Sequence, residues 1–214
     1  MGDIVTMDDL TNQDIVAVLD DAERLVPVAR GEVYLPLLQG KVLANMFFEN
    51  STRTRMSFET AMKRLGGSVL NFTSIGTSVA KGETLYDTMQ MIDGYADVAA
   101  IRHPRQGAAQ YSADAVGIPI LNAGDGAGNH PTQTMLDLFT IRQAHGTLEG
   151  LNVVLIGDLR YGRTVHSLSH ALVRLGAKLT LVSPSTLKMP VEIVSDLREH
   201  GSEIMETESL EDQI

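Results

Sequence analysis

The chain has 214 residues, 43% of them hydrophobic, and a formal net charge of −10. That is enough apolar material for one large domain or two small ones, while the acidic balance weighs against a general nucleic-acid binder, whose backbone partner would be repelled. The absence of cysteine excludes disulfides and thiolate metal sites. No apolar run approaches the roughly 20 residues of a membrane span, and the acidic N-terminus does not resemble a secretory signal. The expectation is an acidic cytoplasmic protein that engages neither nucleic acid nor membrane.

In chain order, residues Thr11 to Arg30 predict a helix. Thr11 and Asp14 have capping-box spacing, and Ile15, Val18, Leu19, Ala22 and Leu25 form an apolar stripe. Pro27 is expected to kink or end that helix, with Gly31 punctuating it. Further strands are expected at Val42–Phe48, Ser68–Phe72, Val98–Arg102 and Pro119–Leu121. Helices fit between them at Thr52–Leu65, Glu83–Tyr95 and Ala108–Val116, and a longer one runs from Pro131 to His145 with proline suitably first. After a turn bracketed by Gly146 and Gly150 the alternation restarts: strand Leu151–Ile156, helix Thr164–Leu175, strand Leu179–Val182, helix Val191–His200 and a short strand Glu203–Met205. Alternation of this kind needs crossover connections and parallel sheets covered by helices. The expected fold class is α/β, with two doubly wound parallel-sheet domains, 1–140 and 141–214, the second incomplete.

The most unusual stretch is Phe47-Phe48-Glu49-Asn50-Ser51-Thr52-Arg53-Thr54-Arg55. Here a strand breaks and a helix begins, with Phe58, Ala61, Met62 and Leu65 on its apolar face. Ser51 stands at the N-cap, and Thr52 to Thr54 fill a first turn whose backbone N–H groups have no intrahelical partner. Three residues after such a cap the usual occupant is Glu or Gln; here it is Thr54, flanked by two arginines. Each cation at the positive end of a helix dipole costs roughly 0.3–1 kcal/mol unless an anion sits there. The economical occupant is a phosphate held by N–H groups, hydroxyls and guanidinium. An ordinary capped helix with solvated arginines is the alternative.

Ligands of doubly wound sheets bind outside the carboxyl ends of the strands, and the other unusual residues fall there. The second strand leads to a loop with Thr77, Ser78, Lys81 and Gly82, and the third ends at Arg102-His103-Pro104. The fourth runs into a glycine-rich segment ending His130-Pro131-Thr132-Gln133. Each has a plainer reading: a surface ion pair for Arg102, a helix cap for His130, polar surface for Gln133, a mobile loop tip for Lys81. Glycines 124, 126 and 128 would then only permit positive φ. Their convergence on strand ends in an acidic chain favours an anion site. In the second half, Gly157 to Arg163 lies between a strand and a helix, but its spacing is not GxGxxG, and no GxxxxGK[ST] loop occurs. Arg163 offers a fork suited to a carboxylate, or else pairs with Asp158.

These motifs resemble the aspartate/ornithine carbamoyltransferases. Phe47–Arg55 is similar to that family's S-T-R-T-R signature, and Lys81-Gly82-Glu83, Arg102-His103-Pro104 and His130-Pro131-Thr132-Gln133 follow in the family's order and spacing. Gly157-Asp158-Leu159 through Tyr161-Gly162-Arg163-Thr164-Val165-His166-Ser167 resembles its aspartate branch. The resemblance implies transfer of a carbamoyl group from carbamoyl phosphate to the α-amino group of L-aspartate, giving N-carbamoyl-L-aspartate and phosphate, an early step of pyrimidine synthesis. It implies no metal or organic cofactor. Ser51, Thr52, Arg53 and Thr54 would bind phosphate, and Arg102 would bridge phosphate and carbonyl oxygen. Thr54, Arg102 and His130 would polarise that oxygen, Gln133 would hold the carbamoyl nitrogen, and Arg163 would grip an aspartate carboxylate. Ser78 (or Thr77), binding carbamoyl phosphate, and Lys81, catalytic and aspartate-binding, would act across a subunit boundary in a homotrimer.

The resemblance covers essentially the whole chain, but family members continue past the position of Ile214, where a His-Pro-Leu-Pro loop and an Arg/Gln-bearing loop complete the aspartate site. The expectation is therefore a C-terminally truncated chain that lacks full activity alone. A separate regulatory chain and nucleotide effectors are left open. The competing readings are a carbamoyltransferase with another amino acceptor, a non-catalytic homologue and, least favoured, a dinucleotide-binding oxidoreductase.

Overall fold

The computed structural model describes residues 2–73, 81–126, 128–201 and 203–211. They separate into two compact units, 1–132 and 133–214. The first holds a four-stranded parallel sheet of β1 (Val42–Phe47), β2 (Ser68–Thr73), β3 (Val98–His103) and β4 (Ile120–Asp125), in the order β2-β1-β3-β4. The second holds the parallel sheet β5 (Asn152–Ile156), β6 (Lys178–Val182) and β7 (Ile204–Thr207), in that order. Both sheets are parallel, as the alternating pattern requires.

Helix α1 (Asn12–Arg30) starts at the expected capping box: Asp14 N–H donates to Thr11 Oγ1 at 3.1 Å, and Thr11 N–H to Asp14 Oδ2 at 2.9 Å. Pro27 does not end it. A proline removes one intrahelical donor, and here the turn around it is closed from beyond. Gly31, at φ 78°, donates to Val28 O, and Glu32 N–H donates to Pro27 O at 2.9 Å. Glycine reaches that left-handed conformation without a Cβ clash, which lets the chain reverse.

Helices cover both faces of the first sheet. On one face, Ala44, Met46, Ala99, Ile101 and Ile120 pack with Met89 and Ile92 of α3 (Leu85–Asp93) and Ala109 of α4 (Ala108–Ala115). On the other, Leu43 and Ala100 pack with Met62 of α2 (Thr52–Arg64). Burial of side chains such as Met46 and Ile101, 0% and 1% exposed, contributes about 1.5–3 kcal/mol each.

Strand β4 runs to Asp125, past the expected Leu121, because Asn122 pairs with Ile101 and Asp125 with His103. Its outer edge is covered by the N-terminal segment: Ile4 N–H donates to Ile120 O, Asn122 N–H to Ile4 O, and Asn122 Nδ2 to Val5 O. Helix α3 starts at Leu85, two residues later than expected, because Thr84 caps it by accepting from Asp87 N–H at 3.2 Å. In the second unit, α5 (Pro131–His145), whose first two residues belong to the first unit, is tied to α6 (Arg163–Arg174) by a buried 2.8 Å bond between Thr134 and Ser167 hydroxyls. Helix α7 (Val191–Glu199) completes that unit. Among the described residues no helix is long and apolar enough to cross a membrane.

Candidate functional site

In the order β2-β1-β3-β4 the chain leaves β1 toward β2 and returns on the opposite side of β1 as β3. The switch point lies between the carboxyl ends of β1 and β3, where a doubly wound sheet opens its crevice. Phe47 pairs with Arg102 there, and Phe48 N–H donates to Arg102 O at 2.8 Å. The register slips between Ile101 and His103, an irregularity that re-aims side chains at a strand end.

Ser51 occupies the N-cap of α2 with extended backbone, φ −155° and ψ 113°, yet its hydroxyl makes no capping bond. The first turn carries no acidic residue. The first turn's N–H groups are thus left to whatever binds before the helix, and an anion suits them. Thr52 and Arg53 are exposed and Thr54 is half-buried.

Arg102 is no solvated surface cation: its side chain is 14% exposed. Nε–H donates to Glu49 Oε1 at 2.6 Å and Nη1–H to the Ala123 carbonyl at 3.2 Å, joining the ends of β1, β3 and β4. A guanidinium has five N–H donors, so others remain for a ligand. Glu49 is the member that sequence reasoning missed, treating it only as the break after a strand. Its signal was available: a carboxylate beside a cationic turn, awaiting a partner that register alone could identify.

Beside Arg102, the His103 ring lies 5.0 Å from that of Phe48, and Nδ1 accepts the Arg105 N–H at 3.0 Å. Burial, and then the Arg105 charge, hold its pKa below 6.5, so the ring is neutral at pH 7. At the end of β4, buried Asp125 gathers the glycine-rich loop by accepting from Gly107 N–H (2.8 Å) and Asn129 N–H (2.6 Å). Gly126 has φ 57°, and a Cβ there would lie 2.6 Å from Pro104 O; glycine meets both demands. This loop delivers His130, 6% exposed, with Nδ1 3.4 Å from Thr132 Oγ1.

Ser51 to Thr54, Arg102 and the loop leading to His130 are therefore brought to the carboxyl edge of one sheet. Lys81 is exposed, in a turn ahead of α3 with Gly82 at φ 96°. Ser78 and the alternative Thr77 lie outside the described residues. In the second unit, Gln133 Nε2 donates to Asp137 Oδ1 at 3.1 Å, and burial raises the Asp137 pKa above 3.8 despite that bond. Arg163 is the first residue of α6. Asp158, its suggested partner, accepts the backbone N–H groups of Arg160 and Tyr161 on Oδ1. Among the described residues no group of three or more His, Asp or Glu could hold a metal ion.

The fold and this edge together are those of an anion-binding α/β protein. Comparison with known proteins makes the class specific. Residues 2–143 match the model of the aspartate/ornithine carbamoyltransferase carbamoyl-P binding domain. The chain is 52% identical over 212 residues to the aspartate carbamoyltransferase catalytic subunit of Methanothermobacter thermautotrophicus, covering 99% of this chain and 68% of the relative. It is 53% identical to that of Methanococcoides burtonii, with the same coverage. Among solved structures, the catalytic subunit of M. jannaschii aspartate transcarbamoylase superposes with a TM-score of 0.94 at 46% identity, covering 99% of this chain and 70% of that one. The Trypanosoma cruzi aspartate transcarbamoylase, solved in complex with carbamoyl phosphate, gives 0.93 at 43% identity, covering 99% and 68%. The chain belongs to the aspartate/ornithine carbamoyltransferase family.

Proposed function

We propose that the protein transfers the carbamoyl group of carbamoyl phosphate to the α-amino group of L-aspartate, giving N-carbamoyl-L-aspartate and phosphate. The observation that carries this reading is the acid-free N-terminus of α2, whose Ser51 hydroxyl makes no cap, set beside Arg102 at the switch point of the first sheet. The relatives support the choice of substrates: Trypanosoma cruzi aspartate transcarbamoylase has been solved with carbamoyl phosphate and aspartate, and with carbamoyl aspartate and phosphate.

In this reading residues 1–140 bind carbamoyl phosphate and residues 141–214 contribute part of the aspartate site. Ser51, Thr52, Arg53 and Thr54 hold the phosphate on the free N–H groups of the helix start. Thr54, Arg102 and His130 surround the carbonyl oxygen and favour the negative charge it gains as the amine attacks. Gln133 orients the carbamoyl nitrogen, and Arg163 holds a carboxylate of aspartate. The amine nitrogen forms a bond to the carbonyl carbon, the bond from that carbon to the bridging oxygen breaks, and phosphate leaves with the electron pair while the nitrogen loses a proton. The donor is already activated, so positioning and charge stabilisation supply the acceleration without a covalent nucleophile. Ser78 and Lys81 reach a neighbouring copy's site in a cytoplasmic homotrimer, serving pyrimidine synthesis.

Calorimetric titration of the chain with a bisubstrate phosphonate analogue tests the phosphate half. Binding that Arg53→Ala abolishes is the expected result; binding that Arg53→Ala leaves unchanged places the anion elsewhere. Colorimetric assay with aspartate or ornithine as acceptor tests the other half, with product expected from aspartate alone.

A further inference from the structure

Strand β1 is apolar along its length except for Asn45, which is 0% exposed at its centre. Its neighbours in register are Asn71 on β2 and Ala100 on β3. A buried amide in a central strand is costly unless it is fully hydrogen-bonded, and this one is not: Asn45 Oδ1 is buried with no partner among the described residues, as is Arg55 Nε. The unmet oxygen is a cost to stability that an apolar residue would avoid.

The Asn45 nitrogen, by contrast, is fully used. Nδ2 donates to the Arg55 carbonyl at 3.0 Å and to Asn71 Oδ1 at 3.1 Å. Asn71 Nδ2 donates in turn to Glu59 Oε2 at 3.0 Å, while Lys63 Nζ donates to Glu59 Oε1 at 2.6 Å. The direction of this relay is imposed from its far end. An ionised carboxylate only accepts, so Glu59 requires the nitrogen of Asn71, which turns the Asn71 oxygen toward Asn45 and fixes the Asn45 nitrogen against both acceptors. The first of those acceptors belongs to the first turn of α2, the same turn that carries Ser51 to Thr54. A bond from the rigid centre of the sheet to that turn sets the rotation and height of the helix start against the end of β1.

We propose that Asn45 is a positioning residue for the phosphate subsite: it fastens the first turn of α2 to the central strand so that the N–H groups and hydroxyls of residues 51–54 converge on one anion. Asn71 orients Asn45, and Glu59 orients Asn71. None of the three touches substrate. The inference rests on the functional reading given above.

The test uses Asn45→Leu and Asn71→Ala in the 214-residue chain. Thermal unfolding is measured alongside calorimetric titration with carbamoyl phosphate and with inorganic phosphate. Asn45→Leu is expected to lower the melting temperature, because the larger side chain crowds a closed site and the Arg55 carbonyl loses its donor. It is also expected to weaken both ligands about tenfold, the equivalent of one lost positioning bond. The backbone amide signals of Thr52, Arg53 and Thr54 should move in its ligand-free spectrum. Asn71 is exposed, so Asn71→Ala folds; it keeps the bond to Arg55 and is expected to weaken binding only about threefold, for the loss of orientation. Wild-type binding with unchanged affinity in both variants overturns this inference and leaves the functional reading standing. Failure of the wild-type chain to bind either anion overturns the functional reading and this inference with it.

Discussion

Arg102→Ala is the most informative single change. It removes the 2.6 Å bond from Nε to Glu49 and the 3.2 Å bond from Nη1 to the Ala123 carbonyl. With side chains only 14% and 27% exposed, the pair is shielded enough to matter. A charge-assisted bond contributes about 1.5–3 kcal/mol and a bond to a neutral carbonyl about 1 kcal/mol. The variant should therefore lose about 3 kcal/mol in the first unit. At roughly 2–4 °C per kcal/mol for a chain of this size, its melting temperature should fall by roughly 6–12 °C. Glu49→Gln keeps an oxygen acceptor for Nε and should cost about 1 kcal/mol. The decisive comparison is the double variant, unfolded in urea and followed by circular dichroism. Coupled partners make its loss at least about 1 kcal/mol smaller than the sum of the single losses. Single losses that add to within about 0.5 kcal/mol would refute the view that this ion pair organises the carboxyl edge of the sheet.

Thr11→Ala removes the hydroxyl that accepts from Asp14 N–H, leaving the bond from the backbone N–H of residue 11 to the Asp14 carboxylate, and should destabilise the first unit by about 1 kcal/mol in urea titration. Asp14→Ala removes the other half, the acceptor of that backbone N–H, and should also destabilise it. In the second unit, burial raises the pKa of Asp137 in the folded chain above its ordinary 3.8. Between those two values the folded state holds more protons than the unfolded one, so stability falls as pH rises through the window and stays reduced above it. Asp137→Asn, which still accepts from Gln133, should therefore raise the melting temperature at pH 7, with the gain shrinking toward pH 4 in scanning calorimetry.

Much of this structure is visible in one dimension. Apolar runs of strand length alternate with 3.6-residue periodicity, and some helix boundaries carry a local signal, such as Pro131 opening α5 or Thr11 capping α1. Those signals are local because they arise from backbone donors and acceptors within a few residues of one another. The cationic, hydroxyl-rich turn at Ser51 to Arg55 is equally local, and so is the failure of its third residue to be acidic. Other features were not legible. Nothing nearby in sequence tells Glu49 that Arg102 will meet it, or tells Asn45 that Asn71 and the Arg55 carbonyl will share its nitrogen. The extension of β4 to Asp125 depends on pairing with β3, and its covered edge depends on Ile4, over a hundred residues away. Sequence alone determined which elements form and which of their ends bear cations. Strand order and register decided which ends meet, because parallel pairing joins residues far apart in the chain and is chosen by burial across the whole sheet, which no local pattern encodes.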